Sequence, residues 1–321
     1  MIESLVRQAH RHAISSKIDR PDIIEQVIMQ RQAHQAGLAR AARHAMVVIA
    51  ALWLSACASP PGHEGLAEEP PQQRSADRFW QHVDAAAGHD WFHLLDGGDE
   101  AMNWRLRMID SAHQAIDLET FLWMEDSLGL RVVSHLLAAA DRGVRIRLLL
   151  DDAFTSHEDL TLLAMEQHPN IELRVYNPYG LRVGGTSGRV LFNIMDFRRV
   201  NHRMHNKALV IDGWAATIGG RNLADEYFGL HDEYNFRDME VIVMGDGVDG
   251  VAAHFAAFWN SEWSVPALEV FDAGHAAADL EALRARLRDQ VGPVQVATEE
   301  ELEALWRAAA GQAASGRAHF V

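Results

Sequence analysis

His205 and Lys207 stand two residues apart, Asp212 follows after four intervening residues, and Gly219-Gly220-Arg221-Asn222 comes after six more. Side chains alternate along a strand, so an imidazole and an ammonium at positions i and i+2 face the same side. Ala208–Ile211 and Ala215–Ile218 read as two short apolar strands, with Asp212-Gly213 as the hairpin turn between them. The returning strand then carries Asn222 back toward His205 and Lys207. An imidazole, an ammonium and an amide meeting in one place suit attack at an anionic centre. The imidazole serves as nucleophile or proton carrier, while the ammonium and amide neutralise the oxygens. The Gly219-Gly220 step predicts backbone N–H groups open to an anion.

Among the 29 basic residues only Lys17 and Lys207 are lysines; the rest are arginines. A lysine at 207 therefore marks a place where a compact ammonium is needed and a bidentate guanidinium will not substitute. An isolated His-x-Lys pair is more often an edge strand with a solvated lysine and a satisfied core histidine. The Asp212 and Gly-Gly-x-Asn steps in register outweigh that reading.

The pattern His205-x-Lys207-x4-Asp212-x6-Gly219-Gly220-x-Asn222 resembles the signature of the phospholipase D superfamily. The words around it, Asn-His-Arg-Met-His-Asn-Lys and Gly-Gly-Arg-Asn-Leu-Ala-Asp-Glu-Tyr-Phe, are most similar to its bacterial cardiolipin synthase branch, and the resemblance runs from about Phe92 to about Trp263. It implies a phosphatidyltransferase or phospholipase acting on phosphatidylglycerol-type lipids through a phosphohistidine. His205 would be the nucleophile, with Lys207, Asn222 and the two glycines binding phosphoryl oxygens. A carboxylate should orient the His205 ring; Asp238 is the first choice and Glu233 the second. Asp212 belongs to the motif, but its place in the turn suits a structural role. No metal and no cofactor are implied.

Two-motif members of the superfamily supply a second histidine as general acid and base, and no second His-x-Lys occurs in this sequence. The resemblance leaves three readings. The chain dimerises, or a second half is supplied by another chain, or the chain is an inert relic. A phosphodiesterase or endonuclease of the same superfamily is the alternative activity. The formal net charge of -16 disfavours nucleic acid as a partner, although Arg198, Arg199 and Arg203 could line a local basic groove.

The one cysteine excludes an intramolecular disulfide and a Cys-based zinc site. Met46–Ala56 is an apolar run behind a basic flank. Leu54-Ser55-Ala56-Cys57 resembles a bacterial lipobox, which makes 1–57 an extension plus lipoprotein signal and Cys57 the lipidation site. Membrane attachment, a periplasm-facing envelope location and Ala58 as an outer-membrane sorting residue follow as expectations. A Pro/Glu/Gln-rich stretch then predicts a flexible tether over 58–76.

Strand and helix patterns alternate along the rest of the chain. Helices are predicted over 99–115, 128–142, 158–167, 189–200 and 248–263, and strands over 116–123, 144–150, 171–176 and 239–244. Gly184–Gly188 reads as a flexible rim loop. The fold expected is α/β, a mixed sheet with helices on both faces, forming one phospholipase D-like domain over 77–265 with a single motif. Residues 266–321 read as a helical tail outside that domain, with the truncated start of a second half as the further reading.

Overall fold

Along the strand Ala208–Ile211 the side chains divide between two cores. Leu209 and Ile211 join a large cluster with Trp80, Met108, Leu136 and Trp306, while Ala208 and Val210 join Val243, Val248 and Val251 on the other side. That division is what a central strand does when both faces of its sheet are covered. The structure, a computed structural model, describes residues 66–87, 90–153, 159–180, 199, 201–271 and 278–316. Residues 1–57, with Cys57 and its proposed signal, lie outside the described residues, as do the 184–188 loop and nearly all of the helix predicted over 189–200.

The elements run α1 Arg78–Ala87, β1 Trp91–Leu95, α2 Gly98–Ser111, β2 Ala115–Thr120, α3 Ser127–Asp141, β3 Arg145–Asp151, α4 Asp159–Glu166 and β4 Ile171–Tyr176. They continue with β5 Ala208–Ile211, β6 Ala215–Gly219, β7 Glu240–Met244, α5 Gly247–Trp259, β8 Ser264–Pro266, α6 Ala267–Val270, α7 Leu280–Gln290, α8 Glu299–Gln312 and β9 Ala314–Ser315. The strands form one sheet in the order β8-β4-β3-β2-β5-β6-β7-β1-β9. The pairs β2–β3 and β3–β4 are parallel, joined through α3 and α4, and the other pairs are antiparallel. The mixed sheet with helices on both faces is the architecture expected.

Local chemistry explains the boundaries. Asp126 caps α3, its carboxylate accepting the Gly129 N–H, and Gly143 ends the following turn with φ of +95°. Asp212 and Gly213 both take positive φ, 51° and 69°, which a two-residue hairpin turn with the right twist demands. Sequence periodicity missed β1, β8 and β9, which are short and lie at or near the sheet margins.

Two expected boundaries are corrected. The second half of the tether predicted over 58–76 is a strap docked on the sheet. Gln72 is buried, its amide oxygen accepting the Gly213 N–H at 2.9 Å, and Ser75 N donates to the Asp212 carbonyl at 2.9 Å. Glu69 sits among Arg145, Arg147 and Arg174, its carboxylate 3.2–3.3 Å from each, and also accepts the Trp259 Nε1–H at 3.2 Å. Four guanidinium or indole donors hold a residue that composition alone assigns to solvent. The helical tail likewise packs into the core of the domain rather than outside it. Trp306 of α8 is fully buried against Trp80, Trp91 and Trp104 at ring distances of 5.2, 6.0 and 5.1 Å, and donates to Ser111 Oγ at 2.9 Å.

Candidate active site

Strands β2, β3 and β4 run parallel and end at Thr120, Asp151 and Tyr176, so one edge of the sheet collects their C-terminal ends. In an open α/β sheet that edge is where ligands are bound. Antiparallel β5 starts at the same edge, with Ala208 opposite Glu119, and β6 returns to it, with Ile218 opposite Ala208. His205 and Lys207 therefore precede β5, and Gly219 to Asn222 follow β6, at one end of the sheet.

The structure brings His205 and Lys207 together. Lys207 Nζ lies 3.2 Å from His205 Nδ1 and donates to the carbonyl oxygen of His205 at 2.7 Å. His205 is exposed while Lys207 is buried. Burial, and then the Lys207 charge, pushes the His205 pKa down. Burial likewise lowers that of Lys207, opposed by the charges of Asp238 and Asp151. Phe121, just past β2, packs its ring 4.7 Å from that of His205, with Lys207 Nζ 5.4 Å from its centre. Nothing local marks Phe121 as a site residue, since an aromatic at a strand end is ordinary core material.

Asn222 is buried beside this pair of strands, its Oδ1 accepting the Leu122 N–H at 3.2 Å. Leu223 continues the tie, donating to the Leu122 carbonyl at 3.0 Å and accepting from Met124 N at 2.9 Å. Asn222 thus fixes the loop that carries Phe121 through its side-chain carbonyl oxygen.

Other expected residues play different parts. Asp212 stands at the opposite end of β5, about 16 Å from Lys207 at the usual rise per residue. Its buried carboxylate accepts Trp80 Nε1–H at 2.7 Å and the N–H groups of His113, Gln114 and Ala115 at 2.8 Å each. It fastens β2 and α1 to the hairpin, the structural role that its place in the turn suits, although the motif groups it with the catalytic residues. The Gly220 N–H is not open to an anion. Gly219 pairs with Glu240, and Gly220 N donates to the Met239 carbonyl at 3.2 Å. A Cβ on Gly219 would overlap Met239 and Glu240, and one on Gly220 would overlap the carboxylate of Asp238. The glycines are there for close approach of β7.

Asp238 lies against Gly220, with Oδ1 accepting the Met239 N–H at 2.8 Å. Among the described residues the His205 ring is hydrogen-bonded by Lys207 and not by Asp238. Asp238 acts on Lys207 as a nearby negative charge. Glu233 is exposed, its backbone N–H donating to His231 at 3.2 Å, with no bond to His205. The expected basic groove does not form from Arg199 and Arg203. Arg199 donates to Asn177 Oδ1 and the Pro178 carbonyl at 2.7 and 2.8 Å, and Arg203 pairs with Asp151 at 3.1 Å. Arg198 lies outside the described residues. Asp151, one residue past the strand expected over 144–150, is fully buried and reaches this segment.

Residues 106–259 match the family model described as "Cardiolipin synthase, PLD-like domain". Over this stretch the chain is similar to a phospholipase D-like domain. Cardiolipin synthase C of Escherichia coli (strain K12) is 40% identical over 178 residues, which cover 56% of this chain and 37% of that protein. Cardiolipin synthase 1 of Staphylococcus aureus (strain COL) is 29% identical over 180 residues, 55% of this chain and 33% of that protein. The chain thus spans about a third of the length of these curated relatives. Among solved structures, the phospholipase D family member Nuc from Salmonella typhimurium aligns at 15% identity over 55% of this chain and 97% of its own, with a TM-score of 0.39. The matched stretch contains His205, Lys207, Asn222 and Asp238, together with Phe121 and Asp151.

Proposed function

We propose that this chain provides one half-site of a cardiolipin synthase-type phosphatidyltransferase. The observation that carries the reading is the meeting of His205, Lys207 and Asn222 at one sheet edge, within the stretch similar to the cardiolipin synthase domain. A ring nitrogen of neutral His205 attacks the phosphorus of a phosphatidylglycerol-type lipid. The P–N bond forms as the P–O bond to the departing glycerol breaks, and the Lys207 ammonium and the Asn222 amide steady the charge on the phosphoryl oxygens. The leaving alkoxide takes a proton from a second imidazole. That imidazole then removes the proton from the hydroxyl of an acceptor, which attacks phosphorus and frees His205. A lipid hydroxyl as acceptor gives transfer, and water gives hydrolysis.

The second imidazole comes from an identical chain across a two-fold axis or from a separate second half. Exposed Tyr234, Phe236 and Met239, on either side of Asp238, support a lipid rather than a nucleic-acid substrate, as does the acidic balance. Attachment through an acylated Cys57 would hold the domain at the lipid surface, and its support is the sequence Leu54-Ser55-Ala56-Cys57.

The test is turnover by the full chain on vesicles containing phosphatidylglycerol, with the molecular mass of the active species measured in parallel. Product of cardiolipin type that disappears in His205→Ala is expected. Cleavage of plasmid DNA without lipid turnover would transfer the site to the nuclease alternative, and no activity in any oligomeric state would leave a scaffold.

A further inference from the structure

Asp151 closes β3 with its side chain fully buried, and its hydrogen bonds reach the segment that delivers His205. Oδ2 accepts the Met204 N–H at 2.7 Å, while Oδ1 accepts from Arg203 Nη1 at 3.1 Å and from the Ala153 N–H at 2.8 Å. Arg203 is itself fixed, donating through Nη2 to the Asn177 carbonyl at 2.8 Å and lying 4.9 Å over the Tyr179 ring. The Asn177 amide donates to the carbonyls of Arg199 and His202 at 2.8 and 2.7 Å. The side chain of Met204 is buried with Leu149, Phe255 and Trp259. Residues 202 to 204 are therefore tied to the ends of β3 and β4, and His205 begins where these ties stop.

A single backbone N–H could be satisfied by an amide or a carbonyl, without burying an ionisable group. A carboxylate at this place adds charge, and charge is felt by neighbours in a poorly solvated site. We propose that Asp151 is a positioning residue of the His205–Lys207 pair: its carboxylate fixes Arg203 and Met204, the two residues before His205, and sets a negative charge on the segment that leads to Lys207. The inference rests on the reading of those two residues given above, but its test needs no turnover.

The groups that bear on the pair are Arg203 and Tyr176 around Asp151, and His205 and Asp238 around Lys207. Burial raises Asp151 to about 6 against the opposing pull of Arg203 and its N–H donors. The group is thus ionised at neutral pH and loses its charge in mild acid.

Lys17 and Lys207 are the only lysines, so the full chain carrying 13C,15N-labelled lysine gives two side-chain NMR signals, which Lys207→Arg assigns. Asp151→Asn keeps an acceptor for Met204 and removes the charge. In it Lys207 is expected to deprotonate at a pH lower by about half a unit or more than in the wild-type chain. Lys17 should not move. A second measurement serves if Asp151→Asn does not fold. In His205→Gln, which removes the exposed imidazole, the Lys207 signal should keep an inflection at about pH 6 as Asp151 takes up its proton. An unmoved Lys207 titration in folded Asp151→Asn, or a missing inflection in His205→Gln, overturns the proposal. A chain inactive on lipids whose Lys207 still follows Asp151 supports it, and overturns only the transferase reading.

Discussion

Lys207 Nζ touches His205 twice, at 3.2 Å from Nδ1 of the ring and at 2.7 Å from the carbonyl oxygen of the same residue. An ammonium this close to an imidazole makes a second positive charge on the ring costly. Burial acts in the same direction, and the His205 pKa is lowered from its ordinary 6.5. The ring therefore stays neutral, with a lone pair available for attack, into mildly acidic solution.

Lys207→Met removes that positive charge, so the His205 midpoint is expected to rise toward the ordinary histidine range. Ring NMR on histidine-labelled chain reads the midpoint, with His205→Gln identifying the signal. This separates His205 from Asp151, which titrates at about 6. In the lipid assay the same variant should lose about 100-fold or more in kcat, since the charge that stabilises the phosphoryl oxygens is gone. A midpoint that stays in place or falls would show that the ammonium does not face the ring in solution.

Asp212 belongs to the sequence signature yet acts at the far end of β5. Its carboxylate accepts four N–H groups from Trp80, His113, Gln114 and Ala115. Asp212→Ala leaves the buried Trp80 and Ala115 donors unmet, at a cost of about 3 kcal/mol in folding stability. Urea unfolding measures the loss. Activity per folded molecule should fall by much less than for Lys207→Met, and equal losses would return Asp212 to the catalytic group.

Sequence order makes Asp212 and Lys207 look like one cluster because a regular expression has no length scale. Strand geometry separates them to opposite ends of β5. The helix–strand alternation from Asp99 onward was readable since each element has a covered apolar face and Gly143 or an Asp-Gly turn marks its end. His205, Lys207 and Asn222 were readable because hairpin pairing makes them neighbours. Phe121 and Asp151 were not, because they reach the site through parallel strands far away in sequence. The same holds for the strap, since nothing local to Glu69 tells that Arg145, Arg147 and Arg174 wait for it on two strands.

Trp306 tests whether the last helices belong to the domain. The ring fills the space between Trp80, Trp91 and Trp104, and its N–H is bound to Ser111 Oγ. Trp306→Ala should cost about 3–5 kcal/mol, the range for emptying a buried aromatic site. The loss should appear as one cooperative transition covering the sheet as well as α8. A separate early transition confined to the C-terminal helices, with the sheet unchanged, would make the tail an independent unit.

Glu166 gives the pH dependence of stability a definite sign. Its Oε2 is buried without a hydrogen-bond partner among the described residues, and burial raises its pKa from 4.5 to about 7, with the Glu172 charge adding to the rise and the Leu173 N–H opposing it. A folded pKa above the unfolded value means that the folded chain holds this proton more tightly, so ionisation penalises the native state. The penalty is complete above about 7, shrinks as pH falls, and vanishes below about 4.5. Glu166→Gln, which has nothing to ionise, should therefore be more stable than wild type at pH 8 and converge with it near pH 5 as the wild-type carboxyl takes up its proton. Thermal melts of both chains across that range decide the matter. A difference that is constant with pH would mean that Glu166 is solvated in the folded chain.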